Sequence, residues 1–201
     1  WKSVVGTNVA SDALSNVASA GVKGGALIVI GEDYGEGVSI IQERSHAFAM
    51  KSSMCLLDPR PNLTSIVNSV EAGFELSEAS NMPVMLQLRI RACHVTGSFI
   101  AKQNQEPMVS RKKVLQDPTF DIEKFCLPPS TYLQEKKKVD FRLPAAEKFI
   151  VRNKLNETFG PDGCDIGIIT LGGHYNGVVR SLERLGLADI YGTTQIPIYV
   201  M

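Results

Sequence analysis

GGALIVIGEDYGEGVSIIQERSHAFAMKSSMCLLDPRPN, residues 24–62, decides the fold. Ala26-Leu27-Ile28-Val29-Ile30 is a short continuous apolar run, the kind that is buried on both faces of a parallel sheet. A glycine-rich acidic loop follows at residues 31–37, then a helical stretch, then a second short strand at Met54-Cys55-Leu56-Leu57. Asp58-Pro59-Arg60-Pro61 is a turn, and Asn62 is a good helix N-cap. Leu63, Ile66, Val67, Val70 and Phe74 then recur at helical spacing as an amphipathic stripe, closed by Asn81-Met82-Pro83. Val84, Leu86, Leu88 and Ile90 alternate with Met85, Gln87, Arg89 and Arg91, which predicts a strand over residues 84–91 with one polar face. Strand, loop, helix, strand, helix, strand is the grammar of a parallel α/β sheet.

Upstream, residues 8–20 place Val9, Ala13 and Val17 four apart, with Ala10, Leu14 and Ala18 beside them. That period predicts one helix stopped by Gly21, its small-residue face set close against a backbone. Downstream of Gly97 the chain is polar and punctuated by Pro107, Pro118, Pro128 and Pro129, a long connection. Residues 131–159 are charge-rich and predict helix interrupted at Pro144, with Lys136-Lys137-Lys138 on a solvated face. The β grammar restarts at Asp165, with a strand (DIGIIT), a turn (Leu171-Gly172-Gly173-His174), a helix over residues 176–185 and a last strand (IPIYVM). The expected organisation is an α/β unit over residues 1–97, a linker with a charged helical segment over 98–164, and the start of a second α/β unit over 165–201.

The 201 residues carry 21 Lys+Arg and 21 Asp+Glu, so there is no long-range field to draw nucleic acid or an anionic membrane. No apolar run approaches the roughly 18–20 residues that span a bilayer. Cys55, Cys93, Cys126 and Cys164 are isolated, which fits a reduced cytoplasm and excludes a zinc ribbon or an iron–sulfur cluster held by this chain alone. The chain opens at Trp1 and closes on a strand, and the expectation is a piece of a longer polypeptide.

The richest cluster of chemistry-bearing residues is the loop at 31–37 with Ser39, Gln42, Glu43, Arg44 and His46. It follows the carboxyl end of a buried strand, where open α/β sheets bind ligands, and a solvated loop with a helix cap is the alternative. Cys93 and His94 are neighbours, but residues one apart on a strand face opposite sides, so packing outweighs catalysis. The Leu171-Gly172-Gly173-His174 turn lacks a full GxGxxG pattern, which favours a plain tight turn over a phosphate site.

GTNVASDALSNVASAGVKGGALIVIGEDYGEG (residues 6–37), QERSHAFAMKSSMCLLDPRPN (42–62) and FELSEASNMPVMLQLRIRACHV (74–95) resemble the thiamine-diphosphate-dependent 2-oxoacid:ferredoxin oxidoreductases, within them the α subunits of the indolepyruvate branch. LPPSTYLQEKKKVDFRLPAAEKFI (127–150) and DIGIITLGGHYNGVVRSLERLGLAD (165–189) resemble the later part of the same subunit. The resemblance implies a partial pyrimidine-binding domain of thiamine-enzyme type, followed by the start of a second α/β domain. It implies thiamine diphosphate with Mg²⁺ and 4Fe–4S clusters held elsewhere in the full-length subunit. It also implies a β subunit, ferredoxin, coenzyme A and an aryl 2-oxoacid as partners, within an oligomer, with no nucleic acid and no membrane. By the same resemblance Glu32, Asp33, Tyr34, Gly35, Gln42, Glu43, Arg44 and His46 lie where the family builds a wall of the cofactor and substrate pocket. Arg44 is the expected anion-facing residue and Glu43 its orienting partner. The activating glutamate, the GDG-type diphosphate motif and the CxxCxxCxxxC cluster ligands do not occur in the sequence, so the chain alone is expected to be inactive and to expose sheet edges. A non-catalytic interaction or regulatory module on the same scaffold is the competing expectation.

Overall fold

The computed structural model describes residues 3–37, 41–42, 44–104, 106, 109–119, 121–125 and 127–201. Ser39, Glu43 and Cys126 lie outside the described residues. The first part of the chain runs α1 (Ser3–Val9), α2 (Ser11–Ala20), β1 (Leu27–Glu32), α3 (His46–Ser52), β2 (Cys55–Leu57), α4 (Leu63–Ser80) and β3 (Val84–Arg89). Both β1 and β2 pair in parallel with β3, in the order β1-β3-β2. This is the parallel α/β sheet that the sequence pattern predicts.

Local chemistry explains the helix ends. Asn62 caps α4, its Oδ1 accepting from the Ser65 N–H at 2.9 Å, and Asn81 ends the helix in the left-handed region at φ +53°. Gly21 closes α2 at φ +71° and donates its N–H to the Val17 carbonyl, a conformation that any Cβ would strain.

Three expectations need correction here. The predicted helix over residues 8–20 divides at Ala10 into α1 and α2, and the buried stripe is Leu14 and Ala18 while Val9 and Val17 stay exposed. On α4 the buried face is Gly73, Leu76, Ser77 and Ser80, and Phe74 is exposed, because small residues let the helix sit close on the sheet. Strand β3 has no solvated face: Val84, Met85, Leu86 and Gln87 are all fully buried, since β3 is the central strand. It ends at Arg89, and residues 90–93 form the short helix α5 (Ile90–Cys93) instead of continuing the strand.

Among the described residues of the long connection, α6 (Arg111–Gln116) has no buried residue. A continuous helical rod follows: α7 (Ser130–Lys137), a five-residue π turn over Lys138–Arg142, and α8 (Leu143–Arg152). Pro144 therefore does not interrupt the helix. It is the second residue of α8, and the wider π turn just before it makes room for the ring and for the missing N–H. Lys138 is buried and pairs with Glu135 at 2.7 Å, so one lysine of the triplet is not on a solvated face. Ala146 of α8 packs with Leu76 and Val84, closing the core on that side of the first sheet.

Helix gives way to strand before residue 159. β4 (Glu157–Phe159) pairs antiparallel with β6 (Ile198–Val200), and β5 (Ile168–Thr170) pairs in parallel with β6, in the order β4-β6-β5. Between β5 and β6, α9 (Tyr175–Arg184) lays Leu182 against Ile198 and Val200. Ile169 and Tyr199 point away from that core and are open, so one face of this sheet is covered and the other exposed.

Candidate functional site

The carboxyl ends of the three parallel strands converge. Glu32 ends β1 opposite Arg89 of β3, and Asp58 follows directly on β2. Glu32 is buried, and its Oε1 accepts from the Ser45 N–H at 2.8 Å. Ser45 precedes α3, so this bond ties the far end of the loop back to the strand from which it leaves.

Asp58 is the hub. Its Oδ2 accepts from Arg89 Nε at 2.9 Å, from Arg89 Nη2 at 2.7 Å and from Gln87 Nε2 at 3.3 Å. Its Oδ1 accepts from the Gly173 N–H at 3.1 Å, which comes from the turn before α9. Arg89 Nη1 donates to the Tyr34 hydroxyl. Burial opposes the charge on Arg89, but the hydrogen bonds and charge of Asp58, with those of Tyr34, outweigh it and raise its pKa above the ordinary value. Tyr34 lies under two guanidinium groups, Arg44 at 4.9 Å and Arg89 at 5.7 Å from its ring centre. Gly35 donates its N–H to Gln42 Oε1 at 2.6 Å and so folds the loop onto itself.

The structure thus brings together Glu32, Tyr34, Gly35, Gln42 and Arg44 of the expected residues. Asp33 lies beneath Gly37, and its charge, after burial, raises the pKa of the Cys93 thiol. His46 opens α3, its Nδ1 buried with no hydrogen-bond partner among the described residues. Glu43, the expected partner of Arg44, is outside the described residues, and the contact seen for Arg44 is the Tyr34 ring face.

The second sheet meets this edge through two glycines. A Cβ on Gly172 would overlap the Asp58 carbonyl oxygen and come within 2.8 Å of the Arg60 nitrogen. One on Gly173 would overlap the Arg89 side chain and lie 2.6 Å from Asp58 Oδ1. The Gly172-Gly173 turn is therefore a point of close approach to the first sheet, which neither the tight-turn nor the phosphate reading anticipated. A second clamp stands beside it. Arg60 Nε and Nη2 donate to Glu157 at 2.6 and 2.7 Å, and the guanidinium lies 4.8 Å from the Phe159 ring centre and 5.2 Å from that of Tyr175.

A cleft of about 640 Å³ opens at this junction, with Tyr34, Arg89 and Arg91 on one side and His174, Arg180 and Arg184 on the other. Among the described residues no three His, Cys, Asp or Glu side chains group as metal ligands, and no helix is long and apolar enough to cross a membrane.

The fold and this edge define an α/β protein whose candidate site lies at the carboxyl ends of a parallel sheet. The chain is 29% identical over 187 residues to indolepyruvate oxidoreductase subunit IorA of Methanothermobacter marburgensis, covering 91% of this chain and 29% of that protein. It is 26% identical over 189 residues to the subunit of the same name from Pyrococcus abyssi, covering 92% of this chain and 28% of that one. For the Archaeoglobus fulgidus subunit the identity is 25% over 183 residues, covering 91% and 28%. The resemblance read in the sequence is to this subunit, and the chain spans less than a third of the length of the curated relatives it matches. No protein-family profile matches the chain. No solved structure matches it either.

Proposed function

We propose that the chain is part of the α subunit of a cytoplasmic oxidoreductase that uses thiamine diphosphate to decarboxylate an aryl 2-oxoacid, indolepyruvate, oxidatively. Coenzyme A takes the acyl group, and ferredoxin takes the electrons by way of iron–sulfur clusters outside these residues. The observation that carries this reading is the similarity, over about nine tenths of the chain, to subunits that all bear the name indolepyruvate oxidoreductase subunit IorA.

Residues 1–97 are assigned to the thiamine pyrimidine-binding domain, 98–164 to a linker and 165–201 to the second α/β domain, with β4 of the linker segment joining the second sheet. Thiamine diphosphate, when bound, supplies the carbanion and the electron sink. The residues present fit one wall of such a pocket: a buried carboxylate at Glu32, the Tyr34 ring between two guanidinium groups, and a loop pinned by Gln42. Among the described residues no three His, Cys, Asp or Glu side chains group as metal ligands, so on this reading the diphosphate and Mg²⁺ cradle is supplied by other parts of the enzyme. Arg44 and Arg89 orient Tyr34, and because the charge of Arg89 is met by Asp58, Arg44 is the cation suited to an oxoacid carboxylate.

The test is turnover by the assembled enzyme, its α subunit carrying this sequence, with indolepyruvate, coenzyme A and ferredoxin. Indolepyruvate-dependent reduction of ferredoxin is the expected result, and Arg44→Ala should raise KM for the oxoacid about tenfold. No reduction with any 2-oxoacid would overturn the reading in favour of a non-catalytic module.

A further inference from the structure

A separate cavity of about 350 Å³ opens beside α3, between β2, Leu143 at the start of α8 and Leu171 of the turn after β5. At that volume, near the lower end of the roughly 300–1,000 Å³ of small-molecule sites, it holds a bicyclic ring. Its walls are apolar and rich in sulfur, with Met50, Met54 and Cys55 all bordering it. Thioether and thiol sulfurs pack favourably against the edges of aromatic rings. Burial, and then the charge of Glu147, pushes the Cys55 thiol up to about 11, so this wall stays uncharged at neutral pH.

On the rim, beside Ser53, His46 is the polar residue with an aromatic ring. Its Nδ1 is shielded from solvent and has no hydrogen-bond partner among the described residues, and Ser52 Oγ at the other end of α3 is in the same state. A buried polar group without a partner costs stability that a ligand with a matching donor restores. His46 also follows Ser45, whose N–H holds Glu32, so the cavity and the candidate site share a wall.

We infer that this cavity takes the aryl side chain of the substrate, a bicyclic aromatic ring bearing one N–H, with the His46 imidazole as its hydrogen-bond partner. The inference rests on the proposed function and adds to it the place where side-chain specificity is set. An indole ring matches on three counts: one donor, a large flat apolar surface and a size the cavity holds.

The experiment is a titration of the chain, labelled with ¹⁵N-histidine, using indole and 1-methylindole as probes. The chain has three histidines, so His46 is readily assigned by substitution. Indole should shift the His46 imidazole nitrogen resonances saturably and bind about tenfold more tightly than 1-methylindole, which lacks the donor. In His46→Leu the two probes should bind equally. Absence of a saturable shift at His46, or equal binding of the two probes to the unaltered chain, overturns the inference, and this arm stands even if the variant does not fold. The titration reads ring binding without turnover. A failed turnover assay with a saturable shift at His46 leaves a ring site but removes the substrate assigned to it, whereas a failed titration overturns the inference and leaves the oxidoreductase reading standing.

Discussion

Asp58 and Arg89 form a buried ion pair in which both Nε and Nη2 of the arginine converge on one carboxylate oxygen, at 2.9 and 2.7 Å. The remaining oxygen is left to accept the Gly173 N–H. One side chain thus fixes a guanidinium in the first sheet and the docking turn of the second.

Asp58→Asn should be severely destabilising. The neutral amide leaves Arg89 charged and buried, and breaking a buried pair from one side costs about 3–5 kcal/mol. Urea unfolding should show a loss of that order. Adding Arg89→Met should recover part of it, because the stranded charge is removed; a double variant no more stable than the single one would contradict this account.

Gly172→Ala should separate the two sheets without unfolding either, because its Cβ meets backbone atoms of Asp58, Pro59 and Arg60 that cannot step aside. Amide exchange at residues 172–174 should accelerate while that of β3 is unchanged. Gly177→Ala is the control. Its Cβ meets nothing within 4 Å, and inside α9 the change should add about 0.5–1 kcal/mol.

Arg60→Lys should cost about 1–2 kcal/mol despite conserving charge. Lysine cannot reproduce the two parallel hydrogen bonds to Glu157 or the planar contact with Phe159 and Tyr175. Glu157→Gln on the Arg60→Lys background should then cost less than on the native one, as a double-mutant cycle would measure.

Cys55 sets an alkaline limit. Burial raises its thiol from 9.0 to about 11, so the folded state favours the neutral form. The stability linked to this group is complete below pH 9 and is lost as pH rises through about 11. Two pKa units correspond to about 2–3 kcal/mol. The stability difference between the native chain and Cys55→Ala should therefore shrink by about that amount between pH 8 and pH 11, measured by urea unfolding of both at each pH.

The sheet was legible because its strands are runs of consecutive apolar residues, and α4 because Asn62 and Asn81 punctuate it. The polar residues of β3 mislead. Alternation suggests a solvated face, but Gln87 and Arg89 are buried against Asp58, a partner 29 and 31 residues away that no local pattern announces. The clue lay in topology: Asp58 and Arg89 both stand at carboxyl ends of adjacent parallel strands. Gly172-Gly173 was harder still, since the surface it approaches is more than 110 residues distant and only the absence of side chains marks it. In the loop, Glu32, Tyr34, Gly35, Gln42 and Arg44 do converge, but the group that organises the edge is Asp58.

The π turn over Lys138–Arg142 acts as a phase adjuster in a helical screw. It holds one residue more than an α turn would, and each residue of an α-helix advances the azimuth by about 100°. Winding the same residues as uninterrupted α-helix would rotate everything downstream by roughly that angle. Ala146 would swing off the core formed with Leu76 and Val84, and Arg142 would lose the Ser19 carbonyl and the Gln134 side chain that it now bridges. The rod between the two sheets is thus keyed in rotation as well as in length.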